Sequence, residues 1–68
     1  MKTTLAAVNY RLLMMNVPER LARGEEYFYF VGGETDRWLS TMVMVCSIRE
    51  HTVDQWIAEY SALKSEMH

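Results

Sequence analysis

His51 stands directly after Glu50 and three residues before Asp54. A carboxylate beside an imidazole can orient it as a general base. A base of that kind needs a nucleophile to act on, and no serine, threonine or cysteine is locally paired with this one, although Cys46 is near in sequence. The expectation is therefore a polar loop histidine ahead of a helix cap. Cys46 sits inside an apolar run and is expected to be a small buried residue rather than a reactive thiol. Gly32-Gly33 lacks the lysine and the following serine or threonine of a phosphate loop, and no helix pattern follows it, so it is expected to be a turn. With His51 and His68 as the only histidines and Cys46 as the only cysteine, no metal site and no cofactor site are expected. The chain is expected not to be an enzyme.

Two other groups of residues could make contacts rather than catalyse. Tyr27-Phe28-Tyr29-Phe30 could stack bases on a strand, and the preceding Arg23-Gly24 resembles the opening of an RNA-recognition signature. The spacing departs from that signature, because Glu25-Glu26 intervenes and would repel phosphate. Arg11, Arg20 and Arg23 are the possible phosphate contacts. Residues 18–23 are too few to serve as a recognition helix in a major groove. Nucleic-acid binding is thus an alternative, and a small-ligand pocket between the aromatic run and the last helix is another.

The stronger signal is apolarity on both faces of two strand-like runs. In residues 27–31, Phe28 and Phe30 oppose Tyr27, Tyr29 and Val31. In residues 41–48, Met42, Met44 and Cys46 oppose Val43 and Val45. Helices of the same chain can cover one face only, so the other calls for a partner. Six methionines, adaptable at binding surfaces, reinforce this. The expected interface comprises Tyr27, Tyr29, Trp38, Met42, Val43, Met44 and Val45. Trp38, next to Glu34, Asp36 and Arg37, is expected to be partly exposed and to anchor a contact.

The elements that must position these residues follow from caps and periodicity. Thr3 or Thr4 caps a first helix with Leu5, Val8, Leu12 and Met15 on one stripe, ended by Asn16. Asn16-Val17-Pro18-Glu19 has the form of a capping box for a short second helix, Pro18 to Arg23, with Leu21 facing inward and Gly24 closing it. A strand at 27–31, a Gly32-Gly33 reversal and a longer strand at 38–48 make a hairpin. Arg49-Glu50-His51 reads as a polar break. Thr52-Val53-Asp54-Gln55 is a second capping box, opening a last helix with Val53, Trp56, Ile57, Tyr60 and Leu63 on its apolar stripe.

The fold class expected is α+β: helix, short helix, β-hairpin, helix. Its antiparallel sheet has two strands per chain, completed to four in a homodimer. Sixty-eight residues bound this to one small domain, 1–68, of marginal stability. With one cysteine and no metal ligands, oligomerisation is the stabiliser left. A formal charge of −2 implies no strong pull toward nucleic acid or anionic lipid. Lys2, Arg11, Arg20 and Arg23 face only Glu19 in the first 24 residues, whereas eight acids outnumber three cations in the remainder. No run is long enough for a membrane span, the faint signal-peptide look of the start is broken by Asn9, Tyr10 and Arg11, and a cytoplasmic location is expected. In size and lack of motif the chain resembles, in style only, the orphan reading frames of prophages, integron cassettes and other mobile genetic elements. The function expected is a small binding or modulator protein that self-associates through its hairpin.

Overall fold

A computed structural model describes residues 2–66. Helix α1 (Leu5–Met14) starts at Thr4, whose hydroxyl accepts from the Ala7 N–H at 3.0 Å. It ends where Asn16 takes a left-handed φ of 61°. Three strands follow, β1 (Arg20–Arg23), β2 (Phe28–Val31) and β3 (Met42–Val43), paired antiparallel in that order. Helix α2 (Val53–Ser65) closes the chain, with the expected reciprocal box between Thr52 and Gln55 at its start. The α+β class and both long helices are as the sequence implies; the sheet is not.

The segment expected to be a short helix is strand β1. An isolated turn of helix costs more in chain entropy than its single hydrogen bond returns. Here Arg20–Arg23 instead pair residue for residue with Val31 back to Phe28. Glu19 does not reach back to Asn16; it turns inward and is 1% exposed. Gly24 does not end a helix. It sits in the β1–β2 hairpin, its N–H on the Tyr27 carbonyl at 2.9 Å, with Glu26 at a φ of 59° making the reversal.

The long second strand also does not form. Gly32 and Gly33 do supply positive φ, 87° and 55°, but they open a connection with a 3-10 turn at Thr35–Arg37, not a tight hairpin. Only Met42 and Val43 join the ladder, opposite Tyr29 and Phe28. Beyond them the Val45 N–H folds back to the Val43 carbonyl, and a 3-10 turn at Ile48–Glu50 begins at Ser47. Ser47-Ile48-Arg49-Glu50 is itself a capping box, present in the sequence where a polar break was expected. Glu50 Oε2 accepts from the N–H groups of Cys46 and Ser47 at 2.9 and 3.0 Å.

Both helices lie on one face of the sheet. Leu21, Phe28, Phe30 and Val43 meet Val8 and Leu12 of α1 and Trp56 and Tyr60 of α2, with Trp38 and Ile48 filling from the connections. Phe28 packs edge-on to Trp56 at 5.2 Å, and Phe30, Trp38 and Tyr60 form a three-ring cluster at 5.5–5.9 Å. Trp56 donates its indole N–H to the Ile48 carbonyl at 2.8 Å. Among the described residues, no helix is long and apolar enough to cross a membrane.

Candidate functional site

Alternation along β2 sends Phe28 and Phe30 into the core and Tyr27, Tyr29 and Val31 to the opposite face. Cross-strand partners share a face, so Arg20 and Ala22 of β1 and Met42 of β3 lie there too. Among the described residues, no element covers this face. Tyr27 and Tyr29 stand with their rings 5.8 Å apart, half-buried. A methyl group on Gly24 would collide with the Tyr27 ring, so that glycine is what lets the ring lie over the hairpin. Met42 is 44% exposed and Met44, just beyond the ladder, 73%.

The two edges of the sheet differ. Leu21 of β1 turns its peptide groups away from β2, and the Asn9 side chain of α1 takes both: its Oδ1 accepts from the Leu21 N–H at 2.7 Å and its Nδ2 donates to the Leu21 carbonyl at 3.0 Å. The amide thus occupies the place of a neighbouring strand. Pro18, Arg20 and Arg23 guard the rest of that edge, as charges and proline commonly do. At β3 the Phe30 N–H bonds to the Thr41 carbonyl, so by ladder alternation the Met42 peptide groups point away from the sheet. Among the described residues the Met42 N–H meets only the nearby Ser40 hydroxyl at 3.3 Å, and residues 39–48 carry no charge at all.

Of the seven interface residues expected, Tyr27, Tyr29 and Met42 come together on the open face, and Met44 adjoins its β3 side. Val45 is half-buried against the core. Trp38 and Val43 are core residues, each 5% exposed; an exposed Trp38 anchor is thereby overturned, because the wide Gly32–Thr41 connection folds its indole onto Phe30 and Tyr60. Cys46 is exposed, not buried. Exposed Leu39 and, on α1, exposed Tyr10 and Leu13 did not figure among the sequence candidates; exposed Met14 did, as one of the six methionines.

The three arginines do not form one patch. Arg11 pairs with Asp54 at 2.9 Å. The Arg20 guanidinium donates to the carbonyls of Val17 and Glu19, both at 2.6 Å. Arg23 lies 5.2 Å over the Phe28 ring, on the sheet face opposite to Arg20. The space between the aromatic strand and α2 is filled by Phe28, Phe30, Trp56 and Tyr60, so no ligand pocket lies there. A cleft of about 270 Å³ lies elsewhere, between the N-terminal ends of the helices, lined by Lys2, Thr3, Arg11 and Asp54 among others. His51 packs edge-on to Trp56 at 4.9 Å, while both neighbouring carboxylates are engaged elsewhere, Glu50 in its cap and Asp54 with Arg11. Among the described residues no three of His, Cys, Asp and Glu gather as metal ligands would.

One polar cluster escaped the sequence reading. The buried Glu19 accepts from the Tyr60 hydroxyl at 2.7 Å and the Glu34 N–H at 3.2 Å, with Lys64 Nζ 3.6 Å away. Lys64 also donates to the Tyr60 oxygen at 3.0 Å. Burial pushes the Glu19 carboxyl up, but the hydrogen bonds from Tyr60 and Glu34 outweigh it and hold the group below its ordinary value. Burial likewise raises the Tyr60 phenol, and the bond to Tyr60 raises Lys64. Glu19 and Tyr60 are closed off from solvent and their polar atoms are shared among protein partners, so the cluster pins the β2–β3 connection to α2. No protein-family model, no curated protein and no solved structure matches this chain, and its function is therefore argued from the surfaces just described.

Proposed function

We propose that the chain is a non-enzymatic cytoplasmic binding protein, a small modulator that self-associates through its sheet. One observation carries this: Met42 and Met44, the exposed methionines beside Tyr27 and Tyr29, lie where the sheet has an uncovered face and an unguarded edge. Apolar side chains concentrated at such a place mark contact surfaces, and aromatic and methionine residues are those enriched at their centres. Association would also add buried area that a chain this small lacks on its own. Light scattering at micromolar concentration tests the proposal. A mass twice the chain's 8.0 kDa is expected; a strict monomer at every concentration refutes it. An origin on a mobile genetic element accords with this role and is tested by the genes encoded alongside.

A second reading has one observation behind it. Arg20 shares the open face with Tyr27 and Tyr29, the pairing of cation and ring that single-stranded nucleic acid uses. Arg11 and Arg23 do not join it, and Glu25 and Glu26 stand at the hairpin tip. A gel-shift series at low salt decides, because phosphate contacts show there without sequence preference; no retardation of any DNA or RNA removes this reading.

A further inference from the structure

We infer that the self-association proposed above takes place edge to edge through β3, with a second copy of this chain, and that the Asn9 side chain stops the assembly at two by sealing β1. The inference rests on that proposal and adds to it which edge pairs, with what, and why growth ends. A three-stranded sheet has two edges, and each is a template for another strand. At β1 the template is spent, because Asn9 already satisfies the Leu21 N–H and carbonyl at 2.7 and 3.0 Å. At β3 the Met42 peptide groups point outward, and among the described residues the Met44 N–H has no hydrogen-bond partner.

The occupant follows from charge and symmetry. Residues 38–48 hold no acid and no base, so this segment meets no like charge when it lies antiparallel against its own copy. Such a contact is isologous and closes on itself at two chains. The competing contact, β3 of one chain on β1 of the next, is heterologous and would propagate as a filament. Asn9 blocks it. The apolar side chains then complete the pairing: Met42 and Met44, exposed in the single chain, are brought beside their own counterparts.

Sedimentation velocity and hydrogen exchange on the full chain, over micromolar to millimolar concentration, test this. The wild type is expected to be a dimer. M42K/M44K, which places charges on the edge, is expected to be a monomer with unchanged circular dichroism. Asn9→Ala is expected to grow past the dimer as concentration rises. In the wild type, protection of the Met44 amide should rise with concentration, and protection of the Leu21 amide should be the same throughout. A wild type that stays monomeric overturns both this inference and the function proposed. A wild-type dimer that survives M42K/M44K, with Met44 exchange independent of concentration, leaves self-association standing and overturns the β3 edge. A monomer whose Met44 amide gains protection only on adding an unrelated strand-forming peptide overturns the second copy as occupant. An Asn9→Ala protein that remains a dimer overturns the sealing role. Should that variant not fold, rapid exchange of Leu21 in the wild type does so instead.

Discussion

Replacing Glu19 by glutamine is the sharpest test of how the fold is held. The side chain keeps its shape, but one carboxylate oxygen becomes an NH2 group. Two protein donors converge on that carboxylate from opposite sides, the Tyr60 hydroxyl on Oε1 and the Glu34 N–H on Oε2. The amide can accept on one side only. With its oxygen toward Tyr60, the NH2 group faces the Glu34 N–H, and two donors meet with no acceptor between them. A hydrogen bond to a charged group contributes about 1.5–3 kcal/mol, and a stranded buried donor costs a similar amount. The Glu34 contact is long at 3.2 Å, which favours the lower end. The Lys64 ammonium is 3.6 Å away and partly in water, so screening leaves its share small. The net expectation is a loss of about 2–3 kcal/mol, a large part of the stability of a domain this size. In melting temperature that is a fall of roughly 10–20 °C.

The assay is a thermal melt of wild type and E19Q at one fixed protein concentration, because association would shift both curves. The pH dependence makes the test specific. Glu19 has its carboxyl lowered in the fold, so its contribution is fully present above the ordinary value of 4.5 and is lost as pH falls through the lower folded value. Once protonated, the wild-type carboxyl resembles the amide. The gap between the two proteins should therefore be wide at about pH 7 and close as pH falls below the ordinary value of 4.5 and through the lower folded one. A fall of less than about 3 °C at neutral pH, or a gap that persists undiminished in acid, refutes the pinning role of Glu19.

Three further outcomes follow from contacts around the same core. Gly33→Ala should lower the melting temperature by roughly 5–15 °C, since the new methyl meets Glu19 Oε2 and the Pro18 ring at a φ of 55°. Two tryptophans equal in size should respond unequally to phenylalanine in urea denaturation. Trp56→Phe strands the Ile48 carbonyl and should cost about 1–3 kcal/mol more than Trp38→Phe, because among the described residues the buried Trp38 indole N–H has no partner to lose. Thr52→Ala removes the α2 cap and should cost about 1 kcal/mol in the same experiment.

Helices announce themselves locally, and this explains which parts were legible. Thr4, Asn16, Thr52 and Gln55 act within a few residues of where they stand, and the stripes of both helices place Val8, Leu12, Trp56 and Tyr60 in the core. The alternation of residues 42–45 between two faces was also legible, although which face is buried was not, and only two of those residues join a ladder. What failed depends on partners far away in sequence. Arg20-Leu21-Ala22-Arg23 is too short to show a period, and it becomes a strand because Phe28–Val31 supplies a ladder and Asn9 an edge partner. Glu19 looks like a cap residue beside Pro18; its burial requires Tyr60, 41 positions later. Trp38 looked exposed among charged neighbours until the width of the Gly32–Thr41 connection folded it inward. Within the interface set, face and edge could be told apart only once the third strand had fixed which edge was closed.

The Glu19 pin and the open edge belong to one design. β3 has only two residues in the sheet, too few to hold itself there. Its position is set by the connection that delivers it, and that connection is fastened at separate points: Glu34 by Glu19, Trp38 by the Phe30 and Tyr60 rings, Leu39 by its N–H on the Glu66 carbonyl, and Thr41 by the Phe30 N–H. An edge that is short and uncharged would ordinarily fray, and a frayed edge cannot offer its peptide groups in register. Fastening the connection from the core side leaves the outward side of β3 free of internal demands apart from Ser40. A buried carboxylate is a costly way to hold a loop, because its desolvation must be offset by good hydrogen bonds. Its position here, at the root of the connection that carries the unguarded strand, ties a buried carboxylate to the presentation of that strand. On this argument E19Q should speed exchange at Met44 and weaken the proposed self-association at temperatures where the helices are still intact.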